Sequence, residues 1–180
     1  LGWSNDFSTR ILPTQEGVCL LFYSELRLLS DFKHRRQQHE DDCLVACCKM
    51  VLGYLGIEKS ESWLWQRLST GTVTPFTNVS ILAAELGLSI AVERWGDLAT
   101  LAPAIEAGLP VIIAVDADNP EDWPYVGHHA VIVVGFNDHV VFVHDPAQLT
   151  APLEIGMKAF LLAWANRDYQ YAIIRLAEEL

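Results

Sequence analysis

The apolar positions of this chain change their period near residue 109. From Cys43 to Leu55, Cys43, Ala46, Cys47, Met50, Val51 and Tyr54 recur at spacings of three and four, which predicts a helix. Leu44, Val45, Cys48 and Leu52 fill most of its other side and Lys49 is its only charge, so this helix is expected at the centre of the fold. Asp41 or Asp42 is expected to cap it and Gly56 to end it. Further helices are predicted after Ser60, over Val79–Leu86 behind Asn78 as cap, over Leu98–Ala107 and over Ala159–Ala165. Beyond Leu109 the pattern becomes short Val- and Ile-rich runs: Val111–Val115, Ala130–Phe136, Val140–His144 and Tyr171–Leu176. Asn137-Asp138 between two of them predicts a hairpin. Val18–Tyr23 and Leu88–Val92 also read as strands, whereas Ser24–Phe32 fits either a strand extension or a short helix. Helices first and an antiparallel sheet later is the pattern of an α+β domain.

Composition narrows the function. The chain has 180 residues, 51% hydrophobic and 19% charged, which fits one globular domain. With 12 basic against 23 acidic residues, the formal charge of −11 argues against nucleic acid as a partner. The short basic run Lys33-His34-Arg35-Arg36 does not reverse that sign. No apolar stretch reaches the roughly 20 residues that span a bilayer, and the first residues do not read as a secretory leader. Four cysteines stand at 19, 43, 47 and 48. Their spacing suits neither cross-fold disulfides nor a zinc site, so a reducing, cytoplasmic setting is expected.

Cys43 opens the central helix, where the positive end of the helix dipole favours a thiolate. Cys47 and Cys48 lie deeper and read as small core hydrophobes. His129 opens an apolar strand, and Asp145-Pro146 closes the next one. A hairpin turning at Asn137-Asp138 brings positions 129 and 145 to the same end of adjacent strands. There the carboxylate can orient the imidazole. A thiol, an imidazole and a carboxylate so placed form a nucleophile–base–orienter set. Either Gln37 or Gln38 could donate to an oxyanion together with the Cys43 N–H. Trp123-Pro124-Tyr125, just before the histidine, either lines a groove or clamps its loop.

The stretch Gln37 to Gly56, with Asp42-Cys43 six residues after Gln37 and Gly53-Tyr54-Leu55-Gly56 at its end, resembles the nucleophile region of the C39-like cysteine peptidases, a papain-like branch. Gly71-Thr72, Asn78 to Gly87-Leu88 and Ala107-Gly108-Leu109-Pro110 are similar to the middle of that family. His129 to Phe136 is similar to its histidine strand, and Val143-His144-Asp145-Pro146 to its Asp-Pro segment. The resemblance runs over residues 37 to 176.

What it implies is a papain-like α+β fold: an N-terminal helical half whose nucleophile helix packs on a C-terminal antiparallel sheet. The catalytic domain is expected at 37–180, with 1–36 as an extension of the same domain. The resemblance makes Cys43 the nucleophile, His129 rather than His128 the base, Asp145 the orienting carboxylate and Gln37 rather than Gln38 the oxyanion donor. It implies a peptide or protein substrate and neither metal nor organic cofactor. Leu44 departs from the family, which usually has Gly after the nucleophile. Two other readings use the same residues: a C39-like module that binds a peptide without cleaving it, and an amidase or acyltransferase.

Overall fold

The computed structural model of the chain describes residues 11–13, 19–21, 27–119 and 121–177, with side chains from residue 28 onward. The expected strand over Val18–Tyr23 is described only at Cys19–Leu21 (β2), which pairs antiparallel with Ile11–Pro13 (β1); its remaining residues lie outside the described ones. Of Ser24–Phe32, Arg27–Leu28 is a strand (β3) and the residues before it also lie outside the description.

The helical half is Cys43–Tyr54 (α1), Glu61–Leu68 (α2) and Ile81–Leu86 (α3). Leu88–Glu93 (β4) and Leu98–Glu106 (α4) lead to the sheet half: Val111–Ala117 (β5), Gly127–Phe136 (β6), Val140–His144 (β7), Leu153–Gly156 (β8), Met157–Ala165 (α5) and Tyr171–Leu176 (β9). The sheet runs β4-β9-β5-β6-β7-β8, all antiparallel, with β3 paired to the far end of β6. Asn137 Oδ1 accepts from the His139 and Val140 N–H groups and closes the expected hairpin. The short strand β8, only four residues long and next to Pro152, escapes the sequence pattern.

Alternation along the strands divides the core in two. Ile112, Ala114, Ala130, Ile132 and Val134 face α1, whose Leu44, Val45, Cys47, Cys48 and Val51 are almost fully buried against them. Ile113, Val115, Val131, Val133 and Val143 face the other way, onto α4 and α5 with Phe160 and Trp164. The sheet is thus covered on both faces, which explains why its strands read as unbroken apolar runs. Lys49, the lone charge of α1, is neutralised by Glu61 at 2.7 Å.

Two expected caps are corrected. Asp42 precedes α1, but its backbone (φ −90°, ψ 7°) continues a 3₁₀ turn over Glu40–Asp42 and its side chain makes no capping bond. A capping residue needs an extended backbone, which this turn denies it. Asn78 lies inside a second 3₁₀ turn, Phe76–Ser80, and its amide reaches back to the Leu68 carbonyl at 2.8 Å, tying the loop to the end of α2. Ser60 does cap α2, accepting from Trp63 N–H, and Gly87 at φ 64° ends α3.

Candidate active site

Cys43 and His129 meet in a cleft of about 320 Å³ between the start of α1 and the end of the sheet. Its walls include Leu44, Val73 and Phe76 from the helical half and Tyr125 from the loop before β6. Leu44, the departure from the family pattern, is 1% exposed: it packs in the core and also walls the cleft beside the thiol.

The histidine and the carboxylate belong to adjacent strands, and a β-bulge brings them to one face. β6 pairs with β7 through Phe136↔Val141 and Gly135↔Phe142, then shifts register to Val133↔Val143 and Ile132↔His144. An unshifted ladder would have put position 145 on the opposite face from 129. The extra residue restores the parity. His129 Nε2 then lies 2.7 Å from Asp145 Oδ1, both side chains at most 1% exposed.

Asp145 is fully occupied. Its Oδ1 also accepts from the Ala147 N–H at 2.8 Å, and its Oδ2 accepts from the indole N–H of Trp123 at 3.1 Å. Trp123 is itself buried, so the loop before β6 is clamped onto the carboxylate. Tyr125, two residues on, stacks on the His129 ring at 4.0 Å between centroids and 22° between planes. The alternatives left by the sequence thus divide between neighbours: Trp123 clamps, while Tyr125 lines the cleft. Burial alone would raise the Asp145 carboxyl, but the His129 bond and charge, the Ala147 N–H and the Trp123 indole outweigh it and hold it below its ordinary value.

His129 shows the reverse balance. Burial disfavours its charged form, yet the hydrogen bonds and negative charge of Asp145 and Cys43 outweigh burial and raise it to about 9. Nε2 is taken by Asp145, and the buried Nδ1 has no hydrogen bond of full geometry. Cys43 lines the same cleft and adds to the upward shift of the ring. His128 also lines the cleft, but from the other face of β6: it is 70% exposed and lies 2.7 Å from Asp116 rather than at Asp145.

Cys47 and Cys48 are packing residues. Both are fully buried, Cys47 donates to the Ala130 carbonyl at 3.3 Å, and burial pushes Cys47 well up and Cys48 up to about 12. Neither is in a disulfide, and neither is Cys43.

Gln37 stands beside this machinery. Its backbone N–H bonds the Pro146 carbonyl at 2.8 Å, joining it to the Asp145 loop. Its amide Nε2 donates to the His39 and Glu40 carbonyls, each at 2.9 Å, so both amide protons shape the turn into Cys43. Gln38 is exposed.

The Peptidase_C39 like family model matches residues 29–172, most of the chain. Among solved structures, a C39-like peptidase from Bacillus anthracis superposes with a TM-score of 0.72 at 16% identity, covering 87% of this chain and all of that one. The peptidase domain of Streptococcus ComA, a bifunctional ABC transporter of a quorum-sensing pathway, gives 0.65 at 18% identity, covering 81% and 99%. A double glycine motif protease from an AMS/PCAT transporter, solved with its leader peptide, gives 0.60 at 17%, covering 84% and 96%. The comparison with curated proteins found no match. A family model spanning four-fifths of the chain, over a papain-like α+β fold with a thiol facing a His–Asp pair, carries the assignment: the chain belongs to the C39-like peptidase family and is a cysteine peptidase.

Proposed function

We propose that the chain cleaves a peptide or amide bond with Cys43 as nucleophile, His129 as proton carrier, Asp145 as orienting carboxylate and Gln37 as oxyanion donor. The observation that carries the reading is the buried His129–Asp145 pair, which occupies one ring nitrogen and leaves the other without a hydrogen-bond partner beside the cleft that Cys43 also lines. Burying such a pair costs desolvation energy. A groove that only binds peptide has no need of it, which favours catalysis over a binding module.

The thiolate attacks the carbonyl carbon and forms a C–S bond, while the carbonyl π electrons move to oxygen. The Cys43 N–H and one Gln37 amide proton, released from its turn carbonyl, stabilise that oxyanion. As the C–N bond breaks, His129 Nδ1 gives its proton to the departing amine. The same nitrogen then takes a proton from water, which attacks the thioester and frees the acid. Asp145 keeps the ring in the required tautomer throughout.

No helix among the described residues is long and apolar enough to cross a membrane. The substrate is a peptide or protein reaching an open cleft. A digest of a defined peptide pool by wild type and by Cys43→Ala, read by mass spectrometry, tests the reading. New termini with the wild type alone are expected, and equal cleavage by both proteins would overturn it.

A further inference from the structure

The cleft extends from the thiol over a patch of sheet built from two alanines. On the face turned toward α1, Ala114 pairs with Ala130 and Asp116 with His128. Ala114 and Ala130 both line the cleft, so small side chains leave room there where larger ones would fill it. Pro75 and Phe76 wall this space, and Arg167, in the turn after α5, stands at its edge.

Arg167 is the only Lys or Arg among the described residues lining the cleft. Its Nη1 lies 3.4 Å from His128 Nδ1, and His128 Nε2 lies 2.7 Å from Asp116 Oδ2. A guanidinium can only donate, so His128 accepts from it through Nδ1 and presents Nε2–H to Asp116. The imidazole therefore positions Arg167 without neutralising it, and Asp116 spends its acceptor on the histidine. Among the described residues, Arg67 pairs with Glu85 and Arg94 with Asp168, but Arg167 has no carboxylate within ion-pairing distance. Glu40 and Asp41 also line the cleft, from the turn before Cys43, and do not reach it.

Strand parity separates this cation from His129. Ala130 and His128 lie on the opposite face of β6 from His129. In the mechanism proposed above the amine departs toward the His129 ring, which leaves the alanine floor on the other face to the acyl side.

Resting on the peptidase reading above, we propose that Arg167 makes the acyl-side subsite over Ala114 and Ala130 selective for a carboxylate side chain, Asp or Glu. A planar guanidinium with most of its donors free matches a carboxylate in two-pronged fashion.

The test uses peptidyl chloromethyl ketones, which alkylate a cleft cysteine and place their residues on the acyl side. Asp, Lys or Leu is set in turn at each of the three positions nearest the reactive group, with Ala elsewhere. Labelling of Cys43 is followed by mass spectrometry in wild type, Arg167→Gln and Arg167→Glu. At one position the Asp probe is expected to react about tenfold faster than the Lys probe, the worth of one charge-assisted hydrogen bond. The preference should vanish in Arg167→Gln and invert in Arg167→Glu. Each comparison is a ratio within one protein, so a general change in thiol reactivity cancels. No discrimination at any position, or a preference that survives Arg167→Glu, would overturn the proposal and leave the peptidase reading standing. Failure of every probe to label Cys43 would instead remove both.

Discussion

The two sides of the cleft are held by different means. On the sheet side, His129 is fixed by Asp145, Asp145 by Trp123 and the Ala147 N–H, and the imidazole plane by Tyr125. On the helix side, Cys43 is carried by the backbone at the start of α1, and the amide of Gln37 is engaged with its own turn. His129 is over-determined by side chains, whereas Cys43 is placed by a helix whose buried length fixes its position. In the proposed mechanism, preorganisation is therefore concentrated where a proton must move in a defined direction. The Gln37 amide, by contrast, has to leave its turn carbonyls before it can serve the proposed oxyanion.

The largest expected effect breaks the helix side. Cys43→Ala should lower turnover by about 10⁴-fold or more, since loss of a nucleophile removes the covalent route altogether. The residue is half-buried and its loss opens little core, so the thermal unfolding midpoint should stay close to that of wild type.

Next comes the contrast in pH dependence. His129 holds its proton up to about 9 because of Asp145 and Cys43. The acid needed by the leaving amine is lost as pH rises through that value, so kcat/KM should fall above about pH 9. In Asp145→Asn that limb should move down toward the ordinary histidine value of about 6.5. A limb unmoved by the substitution would show that Asp145 does not hold the ring. The same shift bears on folding. A histidine raised above its unfolded value stabilises fully below about pH 6.5 and loses that contribution as pH rises through about 9. Asp145, held low, stabilises above about pH 4 and loses its contribution as pH falls through its lowered value. Urea midpoints measured at pH 3, 6 and 10 should therefore peak at pH 6.

Gln37→Ala should cost about 10²-fold in kcat if its amide serves the oxyanion. A purely turn-forming role would instead lower the unfolding midpoint and leave kcat of the folded fraction intact. The smallest effect sharpens the comparison from the other side. Trp123→Phe keeps most of the buried volume but leaves Asp145 Oδ2 without its donor, which should destabilise by roughly 1–3 kcal/mol. It should also let the Asp145 carboxyl rise toward its ordinary value, so the acid limb of the urea midpoints should move to slightly higher pH.

The sequence made the helix side easier to read than the sheet side. The periodicity of Cys43 to Leu55 predicts α1 almost to the residue, and the hairpin at Asn137-Asp138 brings His129 near Asp145. The bulge that sets their common face lies in the run Ala130–Phe136, which is apolar at nearly every position and so carries no period to betray an extra residue. Trp123 sits in a polar loop, and its partner is 22 positions away, so only the folded contact shows which of its two readings holds. The position of Trp123 and Tyr125 immediately before the histidine was the available signal. Arg167 gave none, because its neighbourhood in the cleft depends on α5 returning across the sheet.

The rate of alkylation of each cysteine against pH reads the proposed pairing of Cys43 with His129. Iodoacetamide labelling read by peptide mass spectrometry, in wild type and His129→Ala, supplies it. Fast labelling of Cys43 alone below pH 7 is expected, suppressed by the histidine substitution, with Cys47 and Cys48 silent in their buried positions. A Cys43 profile that is the same in both proteins would contradict the pairing.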